Sequence, residues 1–163
     1  MDSKKIAIII IAIIIIAIAV FLVVNPFNIS VTSSSSSTSS ESSMVFSNGV
    51  LNIDGKEFKI PGGFDQLDNE SEVGVDAPSV AQGAKSTYGT FSNGTDEIVV
   101  KVFTGPSDFT ELNVEGESKN VTYGSFNGLL HQDEGLFLFD CIVDGKLIEI
   151  VAPSEDIISS ILS

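Results

Sequence analysis

Few residues in this chain have types and spacings suited to chemistry. His131, the only histidine, sits in His131-Gln132-Asp133-Glu134, where an imidazole beside carboxylates has the makings of a general base or a metal ligand. No spaced set of ligands accompanies it, so a turn in a loop is the simpler reading. The sequence holds no nucleophile-elbow serine, phosphate-cradling glycine loop or paired-histidine helix. A serine hydrolase would have to assemble around His131 from residues distant in sequence. Cys141, the single cysteine, has no intrachain disulfide partner and reads as a small buried residue in a strand.

Carboxylates are the other candidates. Asp65, Asp68, Glu70, Glu72 and Asp76 lie close together, and hard cations such as calcium favour clustered carboxylate oxygens on a loop. The glycine falls at the seventh place counted from Asp68 and no glutamate stands at the twelfth. The run therefore departs from an EF-hand and reads as a solvated acidic loop. Asp140 and Glu149 pose a sharper question, because the last predicted hairpin sets them opposite each other on one face. Like charges so placed destabilise a strand pair unless they are solvated, spread apart or bridged by a cation. These two are the candidate calcium ligands, and no other cofactor is expected. Sequons occur at Asn28, Asn69, Asn93 and Asn120, and Asn93 is the best placed for glycosylation because it falls at a predicted hairpin tip.

The elements that would position these residues are mostly strands. Val50-Leu51-Asn52-Ile53 and Lys56-Glu57-Phe58-Lys59-Ile60 flank Asp54-Gly55, a pair suited to a type I′ turn. Leu51, Ile53, Phe58 and Ile60 would then share one face. A weak helix is expected over 77–86. Strands over 87–91 and 97–103 follow, with Ile98, Val100 and Val102 facing opposite to Val99, Lys101 and Phe103. Ser107 or Asp108 is a candidate cap for a short helix through Val114, with Phe109 and Leu112 at helical spacing. Strands at 120–123 and 126–131 precede the clearest hairpin, 136–143 and 146–152 around Asp144-Gly145. Phe137, Phe139, Cys141, Ile148 and Ile150 form its predicted buried face. Leu138, Ile142, Leu147 and Val151 on the other face also need cover, which suggests a central strand pair or a helix packed across the sheet. Ser154 caps a predicted final helix whose stripe of Ile157, Ile158, Ile161 and Leu162 is the candidate for that cover.

Upstream lie two segments of different character. From Ile6 to Val24 the chain is uncharged and apolar, and as a helix it would extend roughly 28 Å, the thickness of a bilayer's hydrocarbon. Lys4 and Lys5 precede it and no lysine follows before Lys56, so the positive-inside rule leaves the N-terminus in the cytoplasm. The rival reading is a secretory signal cleaved after Ala19. Residues 25–43 are serine-rich and read as a disordered stalk.

The expected organisation is a cytoplasmic N-terminus over 1–5, a transmembrane helix over 6–24, the stalk over 25–43 and an extracytoplasmic domain over 44–163. The expected fold class is α+β, a mostly antiparallel sheet of hairpins with one or two short helices and a C-terminal helix packed on it. The net charge is −14 and all eight basic residues are lysine, which leaves no surface to track nucleic-acid phosphates.

The segment Phe58-Lys59-Ile60-Pro61-Gly62-Gly63-Phe64, the order of hairpins and the late Gly145-Lys146 turn resemble those of uncharacterised small single-span surface proteins of methanogenic archaea. The strand order is similar, more remotely, to the PsbP/Mog1-like α+β layout. The resemblance implies no active-site residues. The expected function is a membrane-anchored, non-catalytic binding or structural module at the cell surface, meeting a surface protein or wall component. The alternatives are a surface hydrolase using His131 and an accessory subunit of a membrane complex.

Overall fold

The computed structural model describes residues 30–34, 42–114 and 116–163. The apolar segment 6–24 lies outside the described residues, as do Asn28 and most of the predicted stalk. Among the described residues no helix is long and apolar enough to cross a membrane.

The domain is mostly antiparallel β-sheet with one C-terminal helix. Its strands are β1 (Ser30–Ser34), β2 (Met44–Ser47), β3 (Val50–Ile53), β4 (Lys56–Lys59), β5 (Asp65–Gln66), β6 (Glu72–Asp76), β7 (Lys85–Ser92), β8 (Glu97–Thr104), β9 (Asp108–Asn113), β10 (Ser118–Tyr123), β11 (Phe126–Asp133), β12 (Leu136–Val143) and β13 (Lys146–Ala152), and α1 spans Glu155–Ile161. The main sheet runs β10-β11-β12-β13-β8-β7-β5, with β6 also paired to β7. A smaller sheet, β2-β3-β4, and the pair β1-β9 complete the architecture.

The turns explain the hairpins. Asp54-Gly55 and Asp144-Gly145 both carry positive φ at each residue, as do Asn48-Gly49 and Glu134-Gly135. That is the type I′ geometry whose twist matches paired strands. The first hairpin takes the expected register, Ile53 opposite Lys56. Leu51, Ile53, Phe58 and Ile60 are all buried. They meet Phe91, Ile98, Val100, Val102, Phe139, Cys141, Ile148 and Ile150 in one core, so the small sheet covers one face of the large one.

The helix joins that same core through Ile158, Ile161 and Leu162. The expectation that it would cover Leu138, Ile142, Leu147 and Val151 is thereby corrected. Leu147 and Ile142 are instead packed with Phe103, Phe109, Leu112, Val80 and Ala81, while Leu138 and Val151 pack with Val99, Tyr88 and Leu136. The Ser154 hydroxyl caps α1 as expected, accepting from Ile157 N. Ser154→Ala should cost about 1 kcal/mol, read as a lower denaturant midpoint with an unchanged slope.

Three further expectations give way. Residues 77–86 form turns leading into β7 rather than a helix, and Gly83 there has φ +78. Asp108–Asn113 is a strand, not a helix, paired with Ser30–Ser34 across a register shift between Thr32 and Ser33. Opposite that shift Thr110 is the extra residue of a bulge, which brings Phe109 and Leu112 to one side. Their three-residue spacing imitates a helix for that reason. Ser30–Ser34 also belongs to the segment read as a structureless stalk, and Val31 and Thr32 suit the strand that forms there. The acidic stretch is likewise ordered in part, since β5 and β6 lie along β7, and Lys85 pairs with Asp76 at 2.6 Å.

Candidate functional site

On the sheet face opposite α1, the registers align Glu72, Tyr88, Lys101, Glu149 and Asp140 across five neighbouring strands. Within β8, β13 and β12 this polar row is flanked by apolar residues on both sides. Val99, Val151 and Leu138 lie toward one end of the strands, and Phe103, Leu147 and Ile142 toward the other. Side chains two apart on a strand share a face, so the alternation that buries these apolar residues also buries the charges between them. Asp140 is 0 % exposed and Glu149 is 4 % exposed.

The predicted cross-strand pair of Asp140 and Glu149 is therefore real. Its counter-charge is Lys101, whose Nζ lies 2.8 Å from Glu149 Oε1. Lys101 is the direct cross-strand partner of Glu149 on the other side, and its ammonium stands 6.0 Å from the Tyr88 ring and 5.5 Å from the Phe103 ring. Sequence reasoning missed Lys101 because β8 and β13 are far apart in the chain. The signal was its place on the outward face of β8, a lone cation between Val99 and Phe103.

His131 enters the row from β11. It sits opposite Leu138 and diagonal to Asp140, with Nδ1 3.5 Å from Asp140 Oδ2. That contact lacks hydrogen-bond geometry, and both Asp140 oxygens are buried with no hydrogen-bond partner among the described residues. His131 is thus in a strand and buried, not in the turn expected for it; Glu134-Gly135 makes the turn. Burial pushes the Asp140 carboxyl well above the usual carboxylate range; Glu149 adds to the rise and Lys101 opposes it. Burial holds the His131 imidazole below its ordinary value, against the pull of Glu149 and Asp133. The rise at Asp140 and the fall at His131 both favour the uncharged forms, which sets Lys101 and Glu149 as the ion pair at the buried centre of the row. Among the described residues no group of three His, Cys, Asp or Glu side chains is placed to hold a metal ion.

The other candidates lie elsewhere. Cys141 points to the opposite core, where burial pushes its thiol up to about 12, a state with little thiolate. Asn93 is exposed at the β7–β8 turn, its side-chain oxygen accepting from Thr95 N at 2.9 Å and Asp96 N at 2.7 Å. Asn69 is exposed in a 3-10 turn, Asp68–Glu70, and the hydroxyl of its sequon's Ser71 is bonded to Leu67 O. Asn120 is exposed on β10, the edge strand, with Thr122 bonded to Asn127.

Burial, then Glu70, raises Glu97 from 4.5 to about 7. A raised carboxyl contributes stability below its unfolded pKa and loses it as pH climbs through the folded value, so Glu97 destabilises the fold between pH 4.5 and about 7. Asp140 acts in the same direction. His131, being lowered, acts oppositely, losing its contribution as pH falls below 6.5. Glu97→Gln should flatten the decline in denaturation midpoint between pH 4.5 and about 7 relative to the parent.

Comparison of the chain with family models, curated proteins and solved structures gives no match.

Proposed function

We propose that this chain is a single-pass membrane protein whose β-rich domain stands outside the cell as a non-catalytic binding or structural module. One observation carries the second half of that reading: the only histidine has a side chain 5 % exposed and faces an Asp140 side chain that is 0 % exposed. The residues with the most evident capacity for acid–base chemistry are thus enclosed, spent on the interior of the sheet rather than presented to a substrate. The surface is acidic. Among the described residues only Lys59, Lys85 and Lys119 are exposed lysines, so a cell-surface protein or wall component with basic character is the partner that the charge favours.

The uncharged stretch Ile6–Val24 with Lys4 and Lys5 before it supports the anchor and its orientation. Kinship with the small single-span surface proteins of methanogenic archaea belongs to the same reading, on the strength of the Phe58–Phe64 segment.

Two experiments test it. Protease applied to intact cells expressing a C-terminally tagged chain should remove the tag and leave a short membrane-retained fragment; a protected tag would contradict the orientation. Ester, peptide and glycoside substrates should be turned over equally poorly by the parent and by His131→Asn. Hydrolysis that disappears with His131 would overturn the non-catalytic reading.

A further inference from the structure

We propose that Lys101 and Glu149 are the precursors of an intrachain isopeptide cross-link joining β8 to β13, formed with loss of water and assisted by Asp140. Lys101 and Glu149 are direct cross-strand partners on one face, so register alone holds amine and carboxyl together. Nζ already lies 2.8 Å from Oε1, with the two side chains 12 % and 5 % exposed. A nitrogen in contact with a carboxylate oxygen is close to the separation from which it attacks the carboxyl carbon, and such fixed proximity replaces a large part of the barrier of a bimolecular reaction.

Asp140 supplies the second ingredient. It is the cross-strand partner of Glu149 on the other side, fully buried, with neither oxygen in a hydrogen bond among the described residues. Burial and the neighbouring Glu149 raise its carboxyl well above the usual carboxylate range, which favours the protonated form and makes it an acid beside the pair.

The step balances. Lys101 passes one ammonium proton to the Glu149 carboxylate, and the freed lone pair attacks Cδ of Glu149 to give a tetrahedral carbon. Asp140 donates its proton to the departing hydroxyl, which leaves as water, and then takes the remaining excess proton from the nitrogen. One N–C bond forms, one C–O bond breaks, nothing is oxidised or reduced, and Asp140 ends protonated as it began. The driving force is electrostatic: a buried ion pair carries a desolvation penalty that a neutral amide does not. The Tyr88 and Phe103 rings on either side of Lys101 help keep water from reversing the reaction. The product would be a covalent tie across the middle of the main sheet, in a chain whose one cysteine cannot supply a disulfide.

The test is a peptide map of the full chain, purified folded in detergent, incubated at neutral pH and then denatured and digested with trypsin. The cross-linked form yields peptide 86–119, uncut at Lys101, joined to peptide 147–163 and lighter than their sum by one water. Lys101→Arg, which keeps the charge but removes the nucleophilic amine, should give no such species, and neither should chain held unfolded in denaturant. Asp140→Asn should slow its appearance. Separate 86–101, 102–119 and 147–163 peptides with no joined species from folded parent chain would overturn the proposal, and joining at the parent rate in Asp140→Asn would overturn the part assigned to Asp140.

Discussion

Relative to parent chain in which Lys101 and Glu149 are not yet joined, Lys101→Met should lower the unfolding free energy by about 3–5 kcal/mol, the usual cost of removing one partner from a buried ion pair. The reason lies in the row that Lys101 completes. Without its ammonium at 2.8 Å, Glu149 is left beside Asp140 in a setting where both are nearly inaccessible. The sheet must then take up a proton or open to water. Pairing the change with Glu149→Leu should restore most of the loss, because a buried pair replaced by apolar groups of similar volume is close to neutral. Equilibrium denaturation of the two single variants and the double variant measures the coupling. Single and double variants of equal stability would show that Glu149 is solvated rather than enclosed.

Phe58→Ala should cost about 3–5 kcal/mol, in the range of large-to-small changes in a packed core. Phe58 is fully buried on β4, where the small sheet meets the large one. Its ring belongs to the core that includes Phe91, Phe139 and Ile150 from the main sheet and Ile158 from α1. The cavity left by its removal opens between two layers, so hydrogen-exchange protection should fall first in β2, β3, β4 and α1 and persist in β12 and β13. Uniform loss across all strands would mean that the two sheets unfold as one unit.

The hairpins were legible because their signals are local. Asp54-Gly55 and Asp144-Gly145 fix turn type, turn type fixes register, and register fixes which of Phe58, Phe139 or Ile150 points inward. The like-charge pair of Asp140 and Glu149 followed from that logic alone. β2 is less legible although Asn48-Gly49 is an equally good turn, because Met44–Ser47 adjoins a serine run whose composition favours a tether. The false helix over 107–114 came from a bulge, which converts strand periodicity into a three-residue spacing that only the partner strand reveals. The side of the sheet on which α1 packs, and the neighbour of β13, are products of topology. No local pattern told that Lys101 would lie beside Glu149, forty-eight residues away, nor that His131 would close the row from β11. A lone histidine among acidic residues looks the same in sequence whether it faces solvent or a buried carboxyl.

The Lys101–Glu149–Asp140–His131 row is internal architecture in which Lys101, as an ammonium or as the amide it forms, answers Glu149 in place of a bound metal cation. The most direct measurement is the melting temperature of the full chain titrated with calcium into the millimolar range, beside that of Asp140→Asn. A ligand that binds the native state raises its melting temperature in proportion to how far it saturates the site. The account predicts the same melting temperature at every calcium concentration for the parent, and the same indifference in the variant. A calcium-dependent rise in the parent that Asp140→Asn abolishes would contradict it, because the carboxyl pair would then be a cation site that Lys101 does not fill.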